Sequence, residues 1–324
     1  MCAVGKLGRM QNLLTVASQV SVLFILMGVG ALCRRIRLVN EAAVMGIVNI
    51  LIYVVTPCLI VDVFQRQFDP SMMHGFLWAA LIAFMAHAAL VLVARLSIFG
   101  DDGARPVLRL AMVFSNAGFM GIPLEQAILG AKGVFYGIVY VVMFNIFMWS
   151  WGVFEMNGGA VSRKGPSLWA SVRQMVVNPG TVGIAVGLPL FLSSTALPAV
   201  FRTPVSLIAS LNTPLAMLVI GFYLAGSDFR RVIRSPGAYF ASFVRLVLFP
   251  LAIVLTLMPF RNCFPREMML AIVIAASAPV AAMVSMFAAK FGRDVDLSVG
   301  LVSGTTLLSI LTMPPVIALA MELL

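Results

Sequence analysis

Apolar residues run along this chain in blocks of about twenty, separated by short stretches that hold most of the charge. A helix needs roughly 20 such residues to cross the hydrocarbon core of a bilayer. The blocks fall at 11–33, 42–64, 73–99, 107–130, 133–155, 175–193, 203–226, 237–259, 268–289 and 297–322. The pattern therefore predicts an all-α polytopic membrane protein of about ten transmembrane helices, here called segments 1 to 10. Most connections are short. The longest, 156–174, is rich in Gly and Ser and carries Arg163, Lys164 and Arg173. It reads as a cytoplasmic linker between a first five-helix unit, 1–155, and a second, 175–324.

Composition agrees with the pattern. Of 324 residues, 61% are hydrophobic and only 10% charged, and the mean hydropathy is +1.05. Soluble domains carry about 45–50% apolar and about 25% charged residues; lipid must be the solvent for this surface. Segment 1 follows Lys6 and Arg9 as a secretory leader would, but its apolar run is too long and ends at Arg34-Arg35 without a small-residue cleavage site. A retained first helix is expected.

Charge then sets the orientation. Loops after segments 1, 3, 5, 7 and 9 hold fourteen Lys and Arg, and the opposite side holds seven, with Arg245 inside segment 8. Basic residues mark the cytoplasmic side, so both termini are expected outside a bacterial inner membrane. The net charge of +10 is spread over these loops and does not form a nucleic-acid patch. Cys2, Cys33, Cys58 and Cys263 have no paired spacing, and His74 and His87 form no HExxH, so neither a disulfide framework nor a metal is expected. No GxSxG accompanies them, and no enzyme or cofactor is expected.

The two halves echo one another. Thr56-Pro57 in segment 2 matches Thr213-Pro214 in segment 7. Segment 4 is interrupted at Phe114-Ser115-Asn116-Ala117-Gly118-Phe119-Met120-Gly121-Ile122-Pro123, and segment 9 at Ala275-Ala276-Ser277-Ala278-Pro279. Five helices per repeat turn the second repeat upside down. Inverted repeats with broken helices at corresponding positions are a common plan for secondary transporters, and the breaks point to the substrate site. Pro removes a backbone donor, and backbone freed in this way cannot face lipid, so both breaks should lie against protein or a wet cavity.

Ser115-Asn116 followed by Met120-Gly121-Ile122-Pro123-Leu124 and Gly130 resembles the auxin efflux carrier family, which includes plant carriers and bacterial carboxylate permeases. Ala278-Pro279, Ala288-Ala289-Lys290-Phe291-Gly292, Leu308-Ser309-Ile310-Leu311-Thr312-Met313-Pro314, Phe154-Glu155 and Asn178-Pro179 extend the likeness over nearly the whole chain. The resemblance implies a 5+5 inverted repeat with helices 4 and 9 crossed at their breaks, and an elevator-like movement of a transport part against a scaffold. A homodimer is implied as well. The long hydrophilic loop of the plant carriers is missing here, as in bacterial members. Ser115 replaces a Pro and Glu125 an apolar residue, which argues against auxin as substrate.

The function expected is export or permeation of a small organic anion by alternating access. A sodium-coupled symporter of the bile-acid type and a non-transporting receptor are the alternatives. Half-helix N-termini favour anions, which makes Asn116, with Ser115 and Gly118 beside it, the candidate substrate ligand. Ser277 and Pro279 would line the facing half, and Thr56 and Asn145 the same cavity; Pro123 and Pro279 are the helix breaks. Glu125 and Arg245 are candidates for coupling or charge pairing. Arg245 is expected to reach a carboxylate or the cytoplasmic face, and Glu125 to lie near the outer end of segment 4. Coupling to H+ or Na+ is open.

Overall fold

A computed structural model of the chain describes residues 2–98, 103–158 and 179–324, with side chains from Leu14 onward. Beyond Gly158 the expected linker lies outside the described residues, as does the start of segment 6. Every regular element described is a helix: α1 (Cys2–Arg35), α2 (Glu41–Val63), α3 (Pro70–Ser97), α4 (Ala104–Val113), α5 (Ala117–Met156), α6 (Pro179–Leu192), α7 (Ala199–Leu224), α8 (Pro236–Phe260), α9 (Arg266–Ser277), α10 (Ala282–Lys290) and α11 (Val295–Leu323), with a single helical turn, Arg230–Ile233, before α8. Seven of them, α1, α2, α3, α5, α7, α8 and α11, are long and apolar enough to cross a membrane. The chain is thus a multi-pass membrane protein. Large apolar side chains point outward, with Ile25, Leu92, Leu255 and Leu311 each more than half exposed, as a lipid-facing surface requires.

Local chemistry places the helix starts. Asn40, Asp69, Ser235 and Asp294 cap α2, α3, α8 and α11, each side chain accepting a backbone N–H two or three residues on. Pro70 and Pro236 fill first-turn positions where no N–H is missed. The Ser71 hydroxyl and N–H both donate to the exposed Asp69 carboxyl and hold it below its ordinary range.

Three prolines inside the apolar spans follow a widened turn, whereas Pro189, Pro204, Pro314 and Pro315 sit in helix without one and a further π-turn, Met148–Gly152, precedes no proline. The segments 51–55, 117–121 and 244–248 are π-helical turns, closed by Thr56 N–H to Leu51 O, Ile122 N–H to Ala117 O and Phe249 N–H to Val244 O. Each precedes a proline: Pro57, Pro123 and Pro250. A proline ring collides with the carbonyl four residues back, and in all three cases that carbonyl lies in the widened turn, which relieves the collision without ending the helix. At Pro214 the same conflict ends the helix at Ser210 and restarts it at Asn212. Gly130 (φ 65°, ψ −160°) divides α5 into a limb 117–129 and a limb 131–156, in keeping with the boundary expected between segments 4 and 5.

Packing falls into two apolar clusters. One joins α1, α2 and α7 through Val20, Met27, Val48, Met217 and Ile220, and touches the broken region at Met120, Leu124 and Ile274. The other is larger and joins α3, α4, the second limb of α5, α8, α9 and α10. Helices α1 and α7 meet backbone to backbone. A Cβ at Gly30 would stand 2.1 Å from Leu218 O, and one at Gly221 would stand 1.8 Å from Met27 O. Small residues permit this approach where lipid supplies no hydrophobic drive between helices.

Candidate functional site

The helices α4 and α9 both stop at the centre of the larger cluster. Phe114, Ser115 and Asn116 follow α4, and Ala278 to Ala281 follow α9. These two stretches pair as a single antiparallel bridge between Ser115 and Val280. Asn116 N–H donates to Pro279 O at 2.7 Å, and Ala281 N–H donates to Phe114 O at 2.9 Å. Val280 N–H goes to Thr305 Oγ1 on α11 at 3.1 Å. Backbone freed by the two breaks is thus satisfied by the other break and by α11, as burial demands.

A guanidinium closes the C-terminal ends. Arg245, in the π-turn of α8, is fully buried. It donates to Val113 O at 3.1 Å and to Met112 O at 3.4 Å on α4, and to Ala276 O on α9. Its Cζ stacks 4.8 Å above the Phe249 ring. Two helix C-termini, each carrying about half a negative charge, meet one positive charge. The side chain neither reaches the cytoplasmic face nor pairs with a carboxylate; these carbonyls take its place as partners. No sequence motif announced this, although a lone Arg eight or nine residues into an apolar span was the visible signal.

Among the described residues the N-terminal ends have no such counter-charge. The first limb of α5 starts at Ala117, where Met120 N–H and Gly121 N–H both turn back to Asn116 O, and α10 starts at Ala282. Beside the first of these, Ser115 and Asn116 are 1% and 5% exposed, yet Ser115 Oγ and Asn116 Nδ2 have no hydrogen-bond partner. Buried polar atoms are nearly always bonded, and here two unpartnered ones lie side by side at one helix start.

The other candidates divide on the same criterion. Ser277 Oγ donates to Val273 O at 2.6 Å, Thr56 Oγ1 to Leu51 O at 2.8 Å, and Asn145 Nδ2 to Val141 O at 2.8 Å, each on its own helix. Gly118 is open to Val141 at 4.0 Å, and Pro279 provides the carbonyl bonded to Asn116. Pro123 sits after the 117–121 turn. Glu125 does not lie at an exposed end: it is fully buried, and neither carboxylate oxygen has a partner. Residues not singled out from the sequence also line the region. Ser298, Ser303, Thr305, Thr306 and Ser309 form a buried polar face on α11, and Asn212 Nδ2 is buried without a partner on α7. Among the described residues no three His, Cys, Asp or Glu side chains gather as a metal site. A recess of about 550 Å3, an apolar groove between α3 and α8 that includes Trp78, Met85, Leu248 and Phe264, lies away from the breaks.

These features define a helical membrane protein of the transporter class, with two interrupted helices bonded to each other at its centre. Residues 15–317 match the protein family described as Membrane transport protein. The chain belongs to that family, the auxin efflux carriers anticipated from the segment-4 motif. It is also similar to an uncharacterized transporter of Methanothermobacter thermautotrophicus, 27% identical over 225 residues, which cover 66% of this chain and 68% of the relative.

Proposed function

We propose that the protein is a secondary transporter of small organic anions, built as a 5+5 inverted repeat and working by an elevator-like alternation. Several relations support the repeat. The bonds Asn116 N–H to Pro279 O and Ala281 N–H to Phe114 O exchange when the two breaks exchange, as a two-fold axis between Ser115 and Val280 demands. Aligning Pro57 with Pro214 brings Gly30 onto Gly187. Gly30 packs on α7, and Gly187 packs on Phe64, just past the end of α2, where a Cβ would lie 2.9 Å away. The α1, α2 and α7 cluster fits a scaffold, and the cluster around the breaks fits a moving part. The orientation that suits the loop charges places both termini outside a bacterial inner membrane.

The anion reading is carried by one observation: Ser115 Oγ and Asn116 Nδ2 are buried and unpartnered at a helix start, while Arg245 neutralises only the C-terminal ends. A carboxylate there would accept from Asn116 Nδ2 and from the N–H groups that the first turn of a helix leaves open.

The test is thermal stabilisation of the purified protein by a panel of monocarboxylates, dicarboxylates and aromatic acids, with and without sodium. Counterflow of any stabilising anion in proteoliposomes completes it. Selective stabilisation lost in Asn116→Ala supports the site. Stabilisation only in sodium favours the symporter alternative, and none by any anion sinks the anion reading.

A further inference from the structure

Glu125 lies nine residues beyond Asn116 on the first limb of α5, a rise of about 13 Å. Its carboxylate occupies space left by a glycine on the second limb: a Cβ at Gly137 would fall 1.6 Å from Oε2. Gly121, one turn back on its own limb, keeps that side open towards Ala275 of α9; a Cβ there would lie 3.9 Å from Oε1 and 3.5 Å from Ala275 Cα. Both oxygens are without a hydrogen bond. The niche thus lies between the two limbs of α5 and α9, the elements that converge on the breaks.

Among the described residues no charge compensates this carboxylate. The second limb brings Lys132, Tyr136 and Tyr140, with Glu155 paired to Arg109 at its far end, and α9 brings Arg266 and Glu267. Lys132 pairs with Glu267 at 3.8 Å. Helices on the other faces of α5 carry His87 (α3), Asp62 (α2), Tyr223 (α7) and Arg34 (α1). None of these bonds or ion-pairs with Glu125. An ionised carboxylate without a partner in such a site costs far more than the neutral acid, and membrane carboxylates of this kind serve proton relays.

We propose that Glu125 is a proton-binding site coupled to the anion at the break, so that each organic anion crosses together with a proton. The proposal rests on the anion reading above. Two unit negative charges about 13 Å apart at an effective dielectric of 20 repel enough to weaken anion binding about tenfold. Neutralising Glu125 removes that penalty, and by reciprocity the bound anion holds the proton about tenfold more tightly. Release of the proton needs water at the niche, which the packed limbs exclude until they separate.

The experiment has two arms on wild type and Glu125→Gln in lipid nanodiscs. The first is infrared difference spectroscopy. It is expected to show the carbonyl band of a protonated, unbonded carboxyl group at neutral pH in wild type and not in the variant. No such band in wild type, or its persistence in Glu125→Gln, overturns the proposal. The second measures binding of L-malate, pyruvate and benzoate from mildly acid to mildly alkaline buffer. Affinity for whichever anion binds is expected to fall about tenfold in wild type, and the ratio between the two buffers is expected to collapse to near one in Glu125→Gln. Equal pH dependence in both proteins overturns the coupling. If none of the anions binds wild type at any pH, the anion reading fails and takes the coupling with it, while the band still decides whether Glu125 holds a proton. Glu125→Leu serves as the second variant if the glutamine form does not insert.

Discussion

Asn116 is tied to Pro279 through its backbone and left free through its side chain. The N–H donates across the two breaks to Pro279 O at 2.7 Å, while Nδ2 is buried with nothing to bond. The first feature fixes the position of the residue; the second leaves a donor pointing at whatever binds there. On the proposed anion reading, position and ligand binding are carried by different atoms of one residue, and mutation can separate them.

Asn116→Ala is therefore expected to weaken anion binding about tenfold to a hundredfold, the range for losing a hydrogen bond to a charged group. It should leave the melting temperature almost unchanged, because no intramolecular side-chain bond is lost. Asn145→Ala makes the contrast. Asn145 Nδ2 already donates to Val141 O of its own helix, so this change is expected to cost at most about 1 kcal/mol and leave anion affinity where it was. Paired measurements of melting and counterflow in the two variants check both statements. An Asn116→Ala protein with normal flux would remove the ligand role.

Arg245 is the residue whose loss should unsettle the breaks themselves. Arg245→Met leaves carbonyls of Met112, Val113 and Ala276 without their buried donor, and leaving a buried acceptor unsatisfied costs about 1–3 kcal/mol. Arg245→Lys is expected to fall between, since a single ammonium lacks the planar fork that spans two helix ends. Denaturant unfolding of both variants gives the order. Equal stability of wild type and Arg245→Met would show that the capping contributes nothing.

Much of this architecture was legible in the sequence, and the reasons are physical. The apolar blocks, the Thr-Pro echo and the breaks at Asn116 and Pro279 are local signals: hydrophobic run length and missing backbone donors act where they are written. Gly130 likewise marks its own bend. What the sequence left open depends on distant partners. Arg245 looked like a charge seeking water or a carboxylate because the carbonyls that hold it are more than thirty residues away on one side and more than a hundred on the other. Glu125 looked interfacial because its niche is made by Gly137 on the returning limb. The buried polar face of α11 escaped notice because Ser and Thr on an apolar helix bond to their own carbonyls, as Thr306 does to Val302 O, and so leave no pattern that tells inward from outward.

Glycines at the α1–α7 contact give a sharper packing prediction. Gly221→Ala puts a methyl group 1.8 Å from Met27 O, a backbone atom that cannot swing aside, so overpacking should destabilise by about 1–3 kcal/mol. Gly28→Ala, where a Cβ meets nothing within 4 Å, is expected to be neutral or slightly stabilising through helix propensity. Both follow from thermal unfolding in one detergent. Indifference of the protein to Gly221→Ala would mean that α1 and α7 stand further apart than described.

Glu155 ties three elements at one end of the larger apolar cluster. Arg109 Nη1 of α4 lies 2.7 Å from its carboxylate and Arg95 of α3 lies 3.7 Å away, while Glu155 itself is only 4% exposed. Arg109 also donates through Nε and Nη2 to Ile98 O at the end of α3. If α3, α4 and the second limb of α5 move as one body, this cluster should fix them to each other. Glu155→Gln keeps the shape but leaves the Arg109 guanidinium without its counter-charge, a loss of about 3 kcal/mol when one member of a buried pair is removed. Arg95 is much more exposed, and Arg95→Ala should cost below about 1 kcal/mol. Hydrogen exchange then separates a joint from a mere surface pair: in Glu155→Gln, amides at 94–98 and 153–156 should lose protection together, whereas those at 216–222 in α7 should not change. Loss of protection confined to 153–156 would show that α3 and α4 are held by packing alone, and the three helices would then have no common charged anchor at that end.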